Sequence, residues 1–159
     1  MSHLVAVLRL VIPAVWLGLI IGLSFIETPL KFLAPGITTP LGLGIGRLVF
    51  TALSIAGWVL LLVLAGLGVA PRRENRAGWM LIAGLAATAA VQSFVIRPLL
   101  SARSDVIIAG GDPGESPLHY GYITAELVLV GLLIAYLAHS ARAVSCAAIP
   151  SDRSGAPRS

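Results

Sequence analysis

Seven residues of this chain could share one chemistry: Glu27, Arg47, Gln92, Arg97, His119, Tyr122 and Glu126. Two acids, two guanidiniums, an imidazole, a phenol and an amide can bind an ion or a polar ligand and pass protons. Their setting is what makes them notable. Each lies at the end of, or inside, a long run of apolar residues, where a charge costs roughly 2.5–3.5 kcal/mol and usually turns inward to a partner.

Counting along the chain places them at similar depth. Eighteen residues separate Arg9 from Glu27, ~27 Å of helix at 1.5 Å per residue. Arg76 and Arg97 stand 21 apart, ~31 Å. Glu126 is 16 residues before Arg142, ~24 Å, so it falls about one turn inside the hydrocarbon. Arg47 opens the second apolar run on the same side. Four helices thus each supply one ionisable group to one layer, two acidic and two basic, which pairing across the layer would neutralise.

Helical spacing carries the layer inward. Arg47, Thr51 and Ser54 share a face at i, i+4 and i+7. Ser93 precedes Arg97 by one turn with Gln92 beside it, and His119, Tyr122 and Glu126 share the start of the last run. Turned together, these faces make a polar pocket closed below by apolar residues. The plainer alternative for Glu27, Arg47 and Arg97 is a boundary charge whose stem snorkels to the interface. Glu126 is too short and too deep for that. Pro29 and Pro98 each free a carbonyl four residues back. If the first helix continues through Pro29, Glu27 and Lys31 fall on one face and can pair; otherwise both prolines begin new segments, and "PLLSARSDVIIAGG" reads as a short interfacial helix stopped at Gly110–Gly111.

The elements that position these groups follow from composition. Of 159 residues, 57% are hydrophobic and 11% charged, and the mean hydropathy is +0.94. One soluble core cannot hide that much apolar surface. Four segments reach the roughly 20 residues a membrane span needs: about 4–26, 48–70, 77–96 and 121–141. The chain is therefore expected to be an all-α integral membrane protein, an up-down four-helix bundle over residues 1–142 with a disordered cytoplasmic tail at 143–159.

Orientation comes from Lys and Arg. Arg9, Arg72, Arg73, Arg76, Arg142, Arg153 and Arg158 lie on one side; Lys31, Arg47, Arg97 and Arg103 lie on the other with Glu27, Asp105, Asp112 and Glu115. Both termini and the short link "PRRENR" are expected in the cytoplasm, with the two long links outside. Gly18 and Gly22, Gly42 and Gly46, and Ala52 and Ala56 have the small-xxx-small spacing of close helix contacts in lipid. The glycine-rich "LGLGIGR" lacks the ending and the preceding strand of a phosphate loop, so it reads as packing too.

Other chemistries find little support in the residues. The basic groups punctuate apolar runs instead of forming a patch with interleaved aromatics, which excludes nucleic acid as a partner. Cys146 is the only cysteine, so no internal disulfide or paired-thiol centre can form. His3 and His139 share a boundary, but His3 sits in a terminus, and no ligand spacing suits a metal. No cofactor and no catalytic residue are expected. Enzyme or cofactor-carrier chemistry through His119 and Glu126 ranks last.

The segments "ETPLKFLAPGITTPLGLGIGRLVF" and "DVIIAGGDPGESPLHYGYITAELV" resemble a family of small four-helix bacterial inner-membrane proteins without assigned function, over most of Val15 to Leu137. The resemblance implies a four-helix bundle in which Glu27, Pro29, Lys31, Phe32, Arg47, His119, Tyr122 and Glu126 occupy motif positions. It implies no chemistry. The sequence leaves two functional readings ahead: an outward-facing pocket that binds and moves a small ligand, ion or lipid headgroup, or an accessory subunit in which the charged layer only sets helix register. Besides the lipid bilayer, a homodimer or a larger membrane complex is open as partner, since four short helices make a thin transport path.

Overall fold

The computed structural model describes residues 3–69, 74–112, 114 and 116–148. Arg72, Arg73, Glu115, Arg153, Arg158 and residues 149–159 of the expected tail lie outside them. Among the described residues there is no strand. Four helices account for the fold: α1 His3–Lys31, α2 Thr39–Val69, α3 Arg76–Ile108 and α4 Leu118–Ala148. All four are long and apolar enough to cross a membrane. The last continues to Ala148, so the first six residues of the expected tail are helical.

Helices α1 and α3 run through Pro29 and Pro98 beyond their apolar segments, for one reason. Pro29 follows a π-helical stretch at Ile21–Glu27, and Pro98 follows another at Gln92–Ile96. A π turn bonds i to i−5, as the Arg97 amide does with the Gln92 carbonyl. The wider turn absorbs the donor that proline lacks, and Thr28 Oγ1 caps the Leu23 carbonyl at 2.9 Å. The helix therefore passes through each proline. The expected interfacial helix after Arg97 is the continuation of α3, and α1 reaches Lys31, bringing Lys31 Nζ within 3.5 Å of Glu27 Oε2.

The ends carry recognisable caps. Asn75 Oδ1 accepts from the Gly78 amide at 2.9 Å, the N-cap bond of α3. At its other end Gly110 has φ +85°, and the amides of Gly110 and Gly111 bond the Ile107 and Val106 carbonyls. That is the left-handed glycine stop, which a side chain would strain.

Helix α1 packs on α2 and α4, and α3 packs on the same two. The shared core is Ile12, Trp16 and Ile20 from α1, Leu53, Leu61 and Leu64 from α2, Ile82 and Leu85 from α3, and Leu129, Leu133 and Tyr136 from α4. The outside is equally apolar: Leu48 is 74% exposed and Phe94 72%. A bundle apolar both within and without belongs in lipid, where small residues let helices close. Gly57 does this against the Trp16 indole and Gly68 against Trp79. Gly42 and Gly46 pack on Phe32 and Lys31. Gly18 and Gly22 do not follow the expectation: among the described residues, nothing beyond their own helix backbone lies within 4 Å of where their side chains would begin.

Candidate functional site: a basic cavity above a buried acid

At the end of the bundle that holds the links 32–38 and 109–117, the four helices part around a cavity of about 440 Å³. Its polar lining includes Lys31, Arg47, Thr51, Arg97, His119 and Tyr122. Each reaches the cavity from a predictable place. Lys31 is on the turn of α1 that the π stretch keeps helical. Arg47 and Thr51 are successive turns of α2, and the Thr51 hydroxyl donates to the Arg47 carbonyl at 2.7 Å. Arg97 follows the π turn of α3, and His119 and Tyr122 open α4.

The charges in the cavity are held differently. Lys31 leans on Glu27 and lies 5.6 Å from the centre of the Phe50 ring. Arg47 pairs with Asp105 and donates to the Ser101 carbonyl at 3.3 Å. Arg97 donates to the Thr51 hydroxyl at 2.8 Å and makes no ion pair among the described residues. Among the described residues no carboxylate lines the cavity. Three fixed cations and an imidazole facing one space favour a negatively charged guest, and guanidiniums match a carboxylate, phosphate or sulfate with paired donors.

Below the cavity lies a second, smaller space of about 30 Å³, lined by Gln92 and Glu126 and floored by Trp16, Ile20, Leu53 and Leu129. Glu126 is 3% exposed. Its Oε1 accepts from the Tyr122 hydroxyl at 2.7 Å. Oε2, Gln92 Nε2 and Ser24 Oγ are buried and make no hydrogen bond with the described residues. Phe50, Ser93, Arg97 and Tyr122 line both spaces, so the partition is one side chain thick. Phe50 meets Tyr122 edge-on at 5.3 Å. Ser93 is fixed by Ser54 Oγ at 2.9 Å and by the Trp58 indole, which donates to it at 3.1 Å.

Of the residues singled out in the sequence, Arg47, Arg97, His119 and Tyr122 come together in the cavity, and Gln92 and Glu126 in the chamber beneath. Glu27 reaches neither and serves Lys31. The expected pairing across one layer is not what forms. Arg47 takes Asp105, a residue left out of the layer, and Glu126 takes a phenol. Lys31, left out of the layer in the sequence reading, faces the cavity with a side chain only 9% exposed. Its signal was the i, i+4 spacing to Glu27, which holds only if α1 survives Pro29.

A second polar cluster at the opposite end had no counterpart in the sequence reading. Arg9, Glu74, Tyr136 and His139 gather there around the Glu74 carboxylate. Among the described residues no group of three or more His, Cys, Asp or Glu could hold a metal ion. Comparison with protein-family models, with curated proteins and with solved structures finds no match. The chain is a multi-pass α-helical membrane protein by its four apolar helices.

Proposed function

We propose that this protein sits in the bacterial inner membrane as an up-down bundle with both termini cytoplasmic, and binds a small anionic ligand in the cavity at its outer end. One observation carries the reading: Arg97 faces a cavity of about 440 Å³ with no carboxylate among the described residues to neutralise it, alongside Arg47, Lys31 and His119. A half-buried guanidinium with no counter-ion among the described residues is a ready partner for an anion. The aliphatic and aromatic walls, Phe32, Leu43, Phe50 and Leu100, suit a guest that also has an apolar part. The charged group could arrive as a free anion or as a lipid headgroup.

Isothermal titration of the purified protein with sodium sulfate tests the charge chemistry, and mass spectrometry of the protein released from mild detergent tests the lipid source. Saturable sulfate binding that weakens about tenfold or more in Arg97→Gln, a loss of ~1.4 kcal/mol, with the melting temperature little changed, supports the reading. A retained anionic phospholipid lost in the same variant assigns the headgroup as the source. If sulfate does not bind, no anionic lipid is retained and Arg97→Gln only lowers the melting temperature, the cationic layer serves helix register and the proposal falls.

A further inference from the structure

The cavity and the buried acid share a wall, and that arrangement has a chemical consequence. Glu126 projects into the bundle from α4, four residues and one turn below Tyr122. The groups against its carboxyl are Tyr122 on its own helix, Ser24 from α1 and Gln92 from α3, and Ser24 and Gln92 make no hydrogen bond to it. Helix α2 offers the chamber Phe50, Leu53, Ser54, Gly57 and Trp58, none of which titrates. Among the described residues the one cation lining the chamber is Arg97, which also lines the cavity and makes no ion pair with any of them.

An anion in the cavity and an ionised Glu126 would compete for that single guanidinium. They would also repel each other across a thin, poorly polarisable wall, where Coulomb interactions are strong. Protonating Glu126 removes both conflicts. Its Oε2, buried and without a hydrogen-bond partner among the described residues, is the oxygen that can take the proton while Oε1 keeps the Tyr122 bond.

Resting on the anion reading above, we propose that the protein binds its anion together with one proton, the anion beside Arg97 in the cavity and the proton on Glu126 beneath it. The proton comes from bulk water and forms an O–H bond on the Glu126 carboxylate; no other bond changes. Linkage makes the effect reciprocal, so anion binding raises proton affinity at Glu126 by the same factor that protonation raises anion affinity. The two partners enter the bundle with less net charge than the anion alone.

Sulfate is the probe, because its charge is constant across the range used. Calorimetric titrations in two buffers of different ionisation enthalpy count protons taken up per sulfate bound. Net uptake of up to about one proton is expected, and it persists in His119→Asn, which removes the imidazole that lines the cavity. Glu126→Gln keeps the Tyr122 acceptor and should bind sulfate with that uptake gone. In His119→Asn, sulfate affinity should fall roughly five- to a hundredfold from about pH 5 to about pH 9, and in the double variant with Glu126→Gln it should change less than about twofold. Sulfate binding without proton uptake in the wild type overturns the coupling and leaves the anion reading standing, and this measurement needs no variant to fold. Uptake that survives Glu126→Gln, or vanishes in His119→Asn, also overturns it. No sulfate binding at any pH overturns the anion reading itself.

Discussion

Arg9 and Glu74 meet 3.5 Å apart at the end of the bundle opposite Glu126, with side chains 8% and 7% exposed. The Arg9 guanidinium also donates to the Leu67 carbonyl at 2.8 Å. Tyr136, fully buried, donates to Glu74 Oε2 at 2.9 Å, and His139 Nε2 stands 3.4 Å from Oε1. One carboxylate in the short link thus ties the start of α1 to the far part of α4, while Arg9 reaches the end of α2. It closes that end of the bundle where the other end is open.

Removing Glu74 should therefore cost far more than removing Glu27. Glu74→Ala leaves the charge of Arg9 without its carboxylate and takes the acceptor from Tyr136, an expected loss of about 3–5 kcal/mol. The Glu27–Lys31 pair is a single-turn pair with Glu27 29% exposed, so Glu27→Ala should cost under about 1 kcal/mol. Thermal unfolding of the two variants in the same detergent gives the comparison. Equal shifts would mean that the Arg9–Glu74 network contributes no more than a surface pair.

Close packing is tested by two glycines that differ in setting. A Cβ on Gly57 would sit 3.1 Å from Trp16 Nε1, so Gly57→Leu should lose about 1–3 kcal/mol or more by overpacking. Gly18→Ala meets nothing beyond its own helix backbone within 4 Å among the described residues and should be neutral or gain up to ~1 kcal/mol from helix propensity. Melting curves of both variants decide it, and a destabilised Gly18→Ala would mean that this face does pack on something.

These residues also show what could be read from the sequence. The four spans were legible because crossing hydrocarbon demands apolar length, and the faces Arg47–Thr51–Ser54 and Tyr122–Glu126 were legible because helical period alone sets them. Lys31 was harder. Whether it joins the cavity depends on how the chain resolves Pro29, and a π turn is invisible to apolar counting. Glu74 and Tyr136 were missed for a different reason. A charged four- to six-residue link reads as solvated loop, and a tyrosine within an apolar run reads as lipid-facing or core. Only the packed structure folds the link carboxylate back over Gly78 onto Arg9 and Tyr136. The split between cavity and chamber was likewise out of reach, because depth counts place residues by height and say nothing about which side chain forms the partition.

Ser93 holds that partition, and its hydroxyl serves both Ser54 and Trp58. Ser93→Ala strands the Trp58 indole N–H, an expected cost of about 1–3 kcal/mol. A shift in tryptophan emission should accompany the lower melting temperature. Ser93→Thr, which keeps the hydroxyl, should recover part of both; no difference between Ala and Thr would show that the hydroxyl does not anchor the wall.

The cavity's cations should rank by how far each is already neutralised. Arg97 has a hydroxyl as partner, whereas Lys31 and Arg47 have Glu27 and Asp105. Arg97→Gln should therefore weaken sulfate binding most, about tenfold or more, with Lys31→Met and Arg47→Gln weakening it less. Asp105→Asn is the discriminating change. Its carboxylate is 62% exposed, so its loss should barely alter stability, yet it releases the Arg47 guanidinium toward the cavity. Sulfate should then bind about two- to fivefold more tightly, within the ~1 kcal/mol that an exposed pair is worth. A purely structural role for these charges predicts no such gain, since losing an exposed partner would then change only stability, and that slightly. Tighter binding in Asp105→Asn together with weaker binding in Arg97→Gln, measured by the same titration, would separate an anion site from a register device by sign alone.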